Sequence, residues 1–158
     1  RRRSVRWRDA DADRVGRAPS GRVDGRVGRG PAFAGVARRG ASGGRGVGSP
    51  EGFAPLQELA SELGGVVGCS RAVTNNGWRN HADQVGQTGT RIAPDVYFAC
   101  GISGAIQHWV GAMASKNIIA INTDKDANMV TRAGYAVIGD LHQVIPAITA
   151  EVRKRRNG

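Results

Sequence analysis

The chain has 158 residues, enough for one domain with a buried core but not for two. Its net charge is +10, and most of this charge lies near the two ends of the chain. Residues 1–45 contain 13 Arg and 4 Asp, whereas residues 46–158 contain 10 basic and 9 acidic residues. Four of those 10 basic residues are at positions 153–156. This distribution argues against a nucleic-acid-binding protein, and the absence of a signal peptide or an apolar run of ~20 residues favours a soluble intracellular one.

Residues 1–40 are predicted to be a disordered segment rich in Arg and Gly. Residues 1–49 use only nine residue types and show neither helical nor strand periodicity. A basic arm that binds nucleic acid and a transit peptide are two interpretations of this segment. We favour a third, a truncated or miscalled reading frame, because its residue types are largely those of GC-rich codons and the first residue is not Met.

Four continuous apolar runs predict buried strands, over residues 65–69, 96–100, 117–122 and 135–139. Helical spacing of apolar residues predicts helices over residues 56–63 and 102–113, and a last helix that Asp140 caps and that extends to about Val152. Strands that alternate with helices in this way indicate an α/β fold with a doubly wound, mostly parallel sheet and helices on both faces. The predicted domain spans residues 41–152, and residues 153–158 form a basic C-terminal tail.

Glycines and small polar residues follow each predicted strand, at residues 68–71, 101–108, 120–124 and 139–141, and a polar loop lies at residues 84–89. In open parallel sheets the carboxyl ends of the strands form the ligand-binding edge. A single Gly-Ser-Gly turn is also an ordinary connection, but four such strand ends in one small domain predict a bound ligand.

Several kinds of chemistry fit the sequence poorly. The G-x-x-x-x-G-K-[ST] and G-x-G-x-x-G phosphate-binding motifs are absent, and Ala72 and Ala105 stand where a nucleophile elbow would need Gly. The three histidines have no metal-site spacing. Cys69 and Cys100 are predicted to be buried free thiols of a reducing compartment. A cofactor that carries its own chemistry suits this sequence better.

Two long blocks, QVGQTG at residues 84–89 and GISGAIQH at residues 101–108, resemble the electron transfer flavoprotein alpha subunit. Shorter matches follow in the family's order, at Gly43–Gly46, Ser70–Ala72, Pro94, Ala120–Asn122 and Asp140–Leu141. The resemblance covers residues 41 to about 150. It implies a domain like the C-terminal domain of that subunit, a DHS-like NAD/FAD-binding fold that holds one FAD noncovalently.

The cofactor-binding residues that the resemblance implies are Arg45, Ser70, Arg71, Gln84, Val85, Gly86, Gln87, Thr88, Ser103, Gly104, Ala105, Ile106, Gln107, His108, Asn122, Asp140 and Leu141. Residues 103–108 would surround the pyrophosphate and ribityl chain, with Ser103 opening a helix. Asn122 would contact the phosphates, and Asp140 with Leu141 would lie by the adenosine.

Arg45 would also reach the cofactor, from the first glycine turn. Arg71 would lie against the isoalloxazine, where its fixed positive charge favours the anionic reduced states. Gln87, Thr88 and the backbone of Val85 and Gly86 would hydrogen-bond the polar edge of the ring, and His108 would lie near its pyrimidine carbonyl.

By the same resemblance the chain is an electron carrier rather than an enzyme with its own substrate. It would form a heterodimer with an electron transfer flavoprotein beta subunit. Electrons would come from flavin dehydrogenases such as the acyl-CoA dehydrogenases of fatty acid β-oxidation and pass to a quinone oxidoreductase. The expected location is the cytoplasm of a bacterium or the mitochondrial matrix of a eukaryote.

Three alternatives stay open: a nucleotide-binding module without redox activity, a truncated or misannotated fragment that binds nucleotide weakly, and a basic nucleic-acid binder. The family's usual first α/β domain has no counterpart in residues 1–40. Arg38 and Arg39 also interrupt the strand expected before Gly43. We therefore expect lower stability than that of a complete family member, and impaired docking of a beta subunit.

Overall fold

Five parallel strands form one sheet in the computed structural model, which describes residues 38–157. The strands are β1 Arg39–Gly43, β2 Val66–Cys69, β3 Val96–Cys100, β4 Asn117–Asn122 and β5 Tyr135–Ile138. Their order in the sheet is β2-β1-β3-β4-β5, and every neighbouring pair is parallel. The predicted doubly wound α/β architecture is confirmed.

Five α-helices connect or follow these strands: α1 Ala54–Leu63, α2 Arg71–Asn75, α3 Ile106–Ala112, α4 Asn128–Arg132 and α5 Leu141–Asn157. Short 3₁₀ turns lie at Arg45–Val47, Glu51–Phe53 and His81–Asp83. The helix α1 ends at Gly64, which has the left-handed conformation that glycine adopts without a steric penalty. Among residues 38–157, no helix is long and apolar enough to cross a membrane.

The two faces of the sheet are covered by different helices. Phe98 and Cys100 of β3 pack on one face with apolar residues of α1 and α5. Tyr97 and Ala99 point to the other face and pack with residues of α3 and α4. Successive side chains of a strand alternate between faces, so one apolar run supplies both cores.

The helix α3 is shorter than predicted. It begins at Ile106 rather than at Ile102, and residues 102–105 form an irregular loop. Gly101 and Gly104 both have positive φ angles, +63° and +85°, which a right-handed helix does not contain. Apolar spacing continues through the loop because Ile102 is buried without being helical.

The helix α5 is longer than predicted, and residues 153–157 belong to it rather than to a separate tail. Arg153 bonds to Glu58 and Glu62 of α1 at 2.6 and 2.8 Å, and Arg156 donates to the carbonyl oxygen of Glu62 at 2.6 Å. The terminal basic run therefore packs beside the acidic residues of a neighbouring helix.

The strand β5 was predicted to be fully buried, and this prediction is wrong. It lies at the edge of the sheet, where the side chains of Tyr135 and Ile138 are 39% and 51% exposed. A continuous apolar run does not distinguish an edge strand from an inner one, because only the sheet order decides whether a neighbour covers it.

The strand β1 lies between β2 and β3 and begins at Arg39. The two arginines therefore stand at its start instead of interrupting it, and its inner positions are the small residues 40–43. The Arg39 guanidinium donates to the carbonyl oxygen of Leu63 at 2.8 Å. Residues 38–40 of the segment predicted to be disordered are thus ordered, and residues 1–37 lie outside the described residues.

Candidate functional site

The carboxyl ends of all five strands meet at one edge of the sheet, because the strands are parallel. After β1 the chain goes to β2 on one side, and then crosses to β3 on the other side of β1. The gap between the ends of β1 and β3 is therefore the topological switch point. The backbone N–H of Gly44 donates to the carbonyl oxygen of Cys100 at 2.9 Å and that of Gly46 to Gly101 at 3.1 Å, so the two turns that border the gap are joined.

The polar loop of residues 84–90 is attached to both sides of this edge. Its Val85 N–H donates to the carbonyl oxygen of Cys69 at the end of β2, at 2.9 Å, and its Gln87 N–H donates to the carbonyl oxygen of Gln107 in α3, at 2.8 Å. A Cβ at Gly111 of α3 would collide with the backbone of Gly86, so the loop lies directly on the helix. The two sequence blocks QVGQTG and GISGAIQH are therefore in contact.

An open pocket of about 380 Å³ lies between this loop and the start of α2. The residues that line it are Arg71, Thr74, Asn75, His81, Gln84 and Thr88. The hydroxyl of Thr74 donates to the Gln84 Oε1 at 2.6 Å, and the Gln84 Nε2 donates to the hydroxyl of Thr88 at 3.2 Å. The exposed Arg71 supplies a permanent positive charge to the pocket.

Three of these residues, Thr74, Asn75 and His81, were not predicted from the sequence. Thr74 and Asn75 stand three and four residues after Arg71 in α2, a spacing that places side chains on one helix face. Their helical spacing from Arg71 could therefore have identified Thr74 and Asn75 from the sequence. His81 lies in a separate 3₁₀ turn, and nothing in the sequence around it indicates that it faces the pocket.

The loop of residues 101–105 presents most of its side chains to solvent at the same edge. Ser103 and Ala105 are exposed, as are Ile106 and Gln107 in the first turn of α3. Gly104 is buried with a φ of +85°, and a Cβ there would collide with the backbone nitrogen of Met129. Ser103 precedes the helix by three residues, so the prediction that it opens the helix is wrong.

Buried polar atoms without a partner among residues 38–157 occur on both sides of the loop. Ser70, at the end of β2, has a buried hydroxyl oxygen without a hydrogen bond, and so has the Nδ1 atom of His108 in α3. The other ring nitrogen of His108, Nε2, lies 2.8 Å from the hydroxyl oxygen of Tyr97. Burial lowers the pKa of His108 to about 4, so its ring is neutral at neutral pH.

The remaining predicted residues lie on the same edge, and two of them already have hydrogen bonds within the protein. Asn122 donates to the carbonyl oxygen of Ile102 at 3.2 Å and accepts from the N–H of Asp124 at 3.0 Å. Asp140 accepts from the N–H of His142 at 2.9 Å and so caps α5. Leu141 is buried, and Arg45 is exposed.

Within the described residues, no three His, Cys, Asp or Glu side chains are close enough to hold a metal ion. Cys69 and Cys100 are free and buried, as predicted, and burial raises the pKa of both thiols to about 12. At neutral pH neither is a thiolate, so neither is an activated nucleophile.

The carboxyl edge that contains the switch point thus combines a glycine-rich turn, hydroxyl and amide groups, one permanent cation and unsatisfied buried polar atoms. Such an edge can hold an extended dinucleotide through backbone and hydroxyl groups and place a charge beside its aromatic ring. Carboxylates suited to general acid–base work are absent from the pocket lining. The arrangement suits a redox cofactor better than a hydrolytic reaction.

Residues 36–113 match the family model described as the electron transfer flavoprotein FAD-binding domain. Electron transfer flavoprotein subunit alpha of Thermoanaerobacterium thermosaccharolyticum is 52% identical over 113 residues, which are 72% of this chain and 34% of that protein. The same subunit of Paracoccus denitrificans is 51% identical over 116 residues, 73% of this chain and 38% of that protein. Protein FixB of Clostridium saccharobutylicum is 50% identical over 113 residues, 72% of this chain and 34% of that protein.

The chain spans about a third of the length of the curated relatives that it matches. The match includes the turn after β1, the loop of residues 84–90 and the start of α3, which are the elements that build the edge described above. The domain is therefore an FAD-binding domain of the electron transfer flavoprotein alpha subunit family.

Proposed function

We propose that this chain binds FAD noncovalently along the carboxyl edge of its sheet and acts as the electron-carrying part of an electron transfer flavoprotein. The observation that supports this most directly is the contact between the loop of residues 84–90 and α3, closed by the hydrogen bond from Gln87 to Gln107. This contact holds the loop that lines the pocket of Arg71 against the helix that follows the turn of Gly104.

The isoalloxazine would occupy the pocket beside Arg71, and the pyrophosphate would lie along residues 103–107. When bound, FAD supplies the electron-accepting and electron-donating chemistry. The guanidinium of Arg71 keeps its charge at every physiological pH and favours negative charge on the ring. Gln87 and Thr88 are exposed at the pocket and offer amide and hydroxyl groups to the polar edge of the ring. Ser70 would bond through its buried hydroxyl.

The adenosine end of FAD would lie beyond the switch point, by Asp140 and Leu141. Asn122 would contact the phosphates through the second N–H of its amide group, because its Nδ2 donates one bond to Ile102 and its Oδ1 accepts one from Asp124. Arg45 is exposed in the turn after β1 and would approach the cofactor from that side.

The proposal extends to partners. The relatives are named as alpha subunits, which supports a heterodimer with a beta subunit. Electrons would come from flavin dehydrogenases, including acyl-CoA dehydrogenases, and leave to a quinone oxidoreductase. The chain would act as a carrier with no substrate of its own, in the cytoplasm of a bacterium, since the relatives named above are bacterial proteins.

The test is the visible absorption spectrum of the purified chain after incubation with FAD and gel filtration. We expect a retained flavin spectrum with shifted shoulders. Replacing Arg71→Gln should lower the flavin midpoint potential, because the variant lacks the charge that favours the reduced anion, and each 1.4 kcal/mol lost corresponds to about 30 mV for two electrons. Lys154→Gln, which removes one positive charge near the far end of α5, is the matched control and should leave the potential unchanged.

Complete separation of flavin from a folded chain would contradict the proposal. A retained flavin whose potential changes equally in Arg71→Gln and Lys154→Gln would contradict the placement of the ring beside Arg71. Retention of ADP but not of FAD would favour the nucleotide-binding module without redox activity.

A further inference from the structure

Tyr97 and His108 form a buried pair beneath the candidate site. The Tyr97 hydroxyl oxygen lies 2.8 Å from the His108 Nε2, and the two rings are stacked with centroids 6.3 Å apart. Tyr97 is fully buried in β3 and His108 is 6% exposed in α3. The remaining ring nitrogen, Nδ1, is buried and has no hydrogen bond among residues 38–157.

The chemistry of the two groups decides which of them donates. A neutral imidazole nitrogen is a much stronger base than a phenol oxygen, and a phenol is a stronger acid than a neutral imidazole N–H. Burial raises the pKa of Tyr97 and lowers that of His108, so the tyrosine keeps its proton and the ring stays neutral. The buried Ser42 hydroxyl also interacts with the Tyr97 hydroxyl and opposes the rise of its pKa, as a donor to the phenol oxygen would. The favoured arrangement is therefore Tyr97 O–H donating to Nε2, which leaves the single ring proton of His108 on Nδ1.

His108 lies next to residues at the carboxyl edge of the sheet. Gln107, the residue before it, accepts the hydrogen bond from Gln87, and the backbone of Gly86 lies against the backbone of His108. The Tyr97 ring packs in the core on the face covered by α3 and α4. Nothing else among the described residues bonds to either ring nitrogen of His108, so Tyr97 alone distinguishes them.

We propose that Tyr97 is a positioning residue, which fixes His108 as the Nδ1–H tautomer and so makes it a neutral hydrogen-bond donor for the cofactor. The donor role rests on the proposed function, whereas the tautomer is a property of the chain itself. The permanent charge at the site then belongs to Arg71, and His108 contributes a hydrogen bond without adding a charge.

The tautomer is measured by two-dimensional ¹⁵N–¹H NMR of the full chain labelled at histidine, at neutral pH without cofactor. The chain contains three histidines, and the exposed His81 and His142 give internal reference signals. We expect His108 to show a pyrrole-type Nδ1 and a pyridine-type Nε2. Tyr97→Phe, which removes only the hydroxyl group, should shift this ring toward the Nε2–H form. Tyr135→Phe changes the exposed second tyrosine of the chain and should leave the His108 signals unchanged.

A wild-type His108 with its proton on Nε2 would overturn the proposal, and so would a Tyr97→Phe variant with unchanged ring signals. Equal circular dichroism spectra of the two variants would show that misfolding does not cause the shift of the His108 ring signals. If Tyr97→Phe fails to fold, the wild-type tautomer alone still decides.

Addition of FAD tests the donor role separately. We expect the His108 Nδ1 and its proton to shift on saturation, and Tyr97→Phe to bind FAD about two- to tenfold more weakly than Tyr135→Phe. Bound FAD with unchanged Nδ1 signals would overturn the donor role. Failure of the wild-type chain to bind FAD would contradict the proposed function, and the tautomer measured without FAD would still test the role of Tyr97.

Discussion

At the scale of single residues, Arg71 carries a permanent charge and His108 is a neutral polar group. Arg71 is exposed in α2 and His108 is buried in α3, so only the arginine keeps its charge across the physiological range. Protonation of a histidine that is buried without a neighbouring carboxylate is unfavourable, because the charged ring is kept out of water. The stability of the chain must therefore depend on the protonation of His108.

We predict a loss of stability in acid that His108→Asn relieves. The pKa of His108 is about 4 in the folded chain and near its ordinary value of 6.5 when unfolded, so the unfolded state binds more protons between these values. Stability therefore falls as the pH is lowered from about 6.5 to about 4, by about 3 kcal/mol in total. Urea unfolding at pH 7 and pH 4.5 should show that this loss is smaller in His108→Asn.

The exposed His142, replaced by Asn in the same way, is the control for this measurement. Its variant should lose as much stability in acid as the wild-type chain does. An equal loss in the wild type and in His108→Asn would show that His108 is protonated in the folded state at the same pH as in the unfolded one.

At the scale of elements, the site depends on close contacts between loops and helices that small residues permit. The loop before α3 lies against α4, where the Met129 N–H donates to the carbonyl oxygen of Ser103 at 3.1 Å. Gly104 stands at this contact with a φ of +85°, and any side chain there would meet the backbone of Met129. The position of the loop is therefore coupled to the position of α4.

We predict that Gly104→Ala destabilises the chain by about 2 kcal/mol or more and weakens FAD binding. The left-handed backbone of a non-glycine residue costs about 1–2 kcal/mol, and the displaced loop adds the loss of its contacts with α4. Chemical denaturation followed by tryptophan fluorescence measures the first effect, and FAD titration measures the second.

Gly134→Ala is the matched control, since a Cβ there would meet nothing within 4 Å and its backbone has no positive φ. It should change the free energy of unfolding by no more than about 0.5 kcal/mol. Similar losses in the two variants would show that the contact between Gly104 and α4 has no special role.

The helix boundaries predicted from the sequence differ from those in the structure for physical reasons. The helix α3 was predicted to begin four residues too early because a buried Ile102 satisfies the apolar spacing whether or not the backbone is helical. The helix α5 was predicted too short because its last turns are polar, and their partners Glu58 and Glu62 lie on α1. Local periodicity carries no information about such distant contacts.

At the scale of the whole molecule, the proposed cofactor-binding edge is built from all five strand ends, so ligand binding there would be coupled to folding. An unfolded chain does not assemble this edge, and a ligand that binds only the folded state stabilises it. The same coupling offers a way to separate the two nucleotide-binding hypotheses by stability alone.

We predict that FAD at a hundred times its dissociation constant raises the free energy of unfolding by about 2.7 kcal/mol. The reason is that flavin and adenosine contacts both require the folded edge. The denaturation midpoint with and without FAD measures this effect. ADP at the same concentration should raise it less, because ADP has no flavin to occupy the pocket beside Arg71. Equal effects of ADP and FAD would instead favour a module that recognises only the adenine nucleotide.

The sequence by itself determined the architecture and the cofactor class of this protein. Alternating apolar runs and helical patterns require a parallel sheet, and the blocks around Gly86 and Gly104 are long enough to identify the family. Only the tertiary structure decided which side chains share the pocket, that β5 is an edge strand and that Tyr97 lies against His108. Those facts depend on strand order and on contacts between residues distant in the chain, whereas periodicity and motifs report only local conformation.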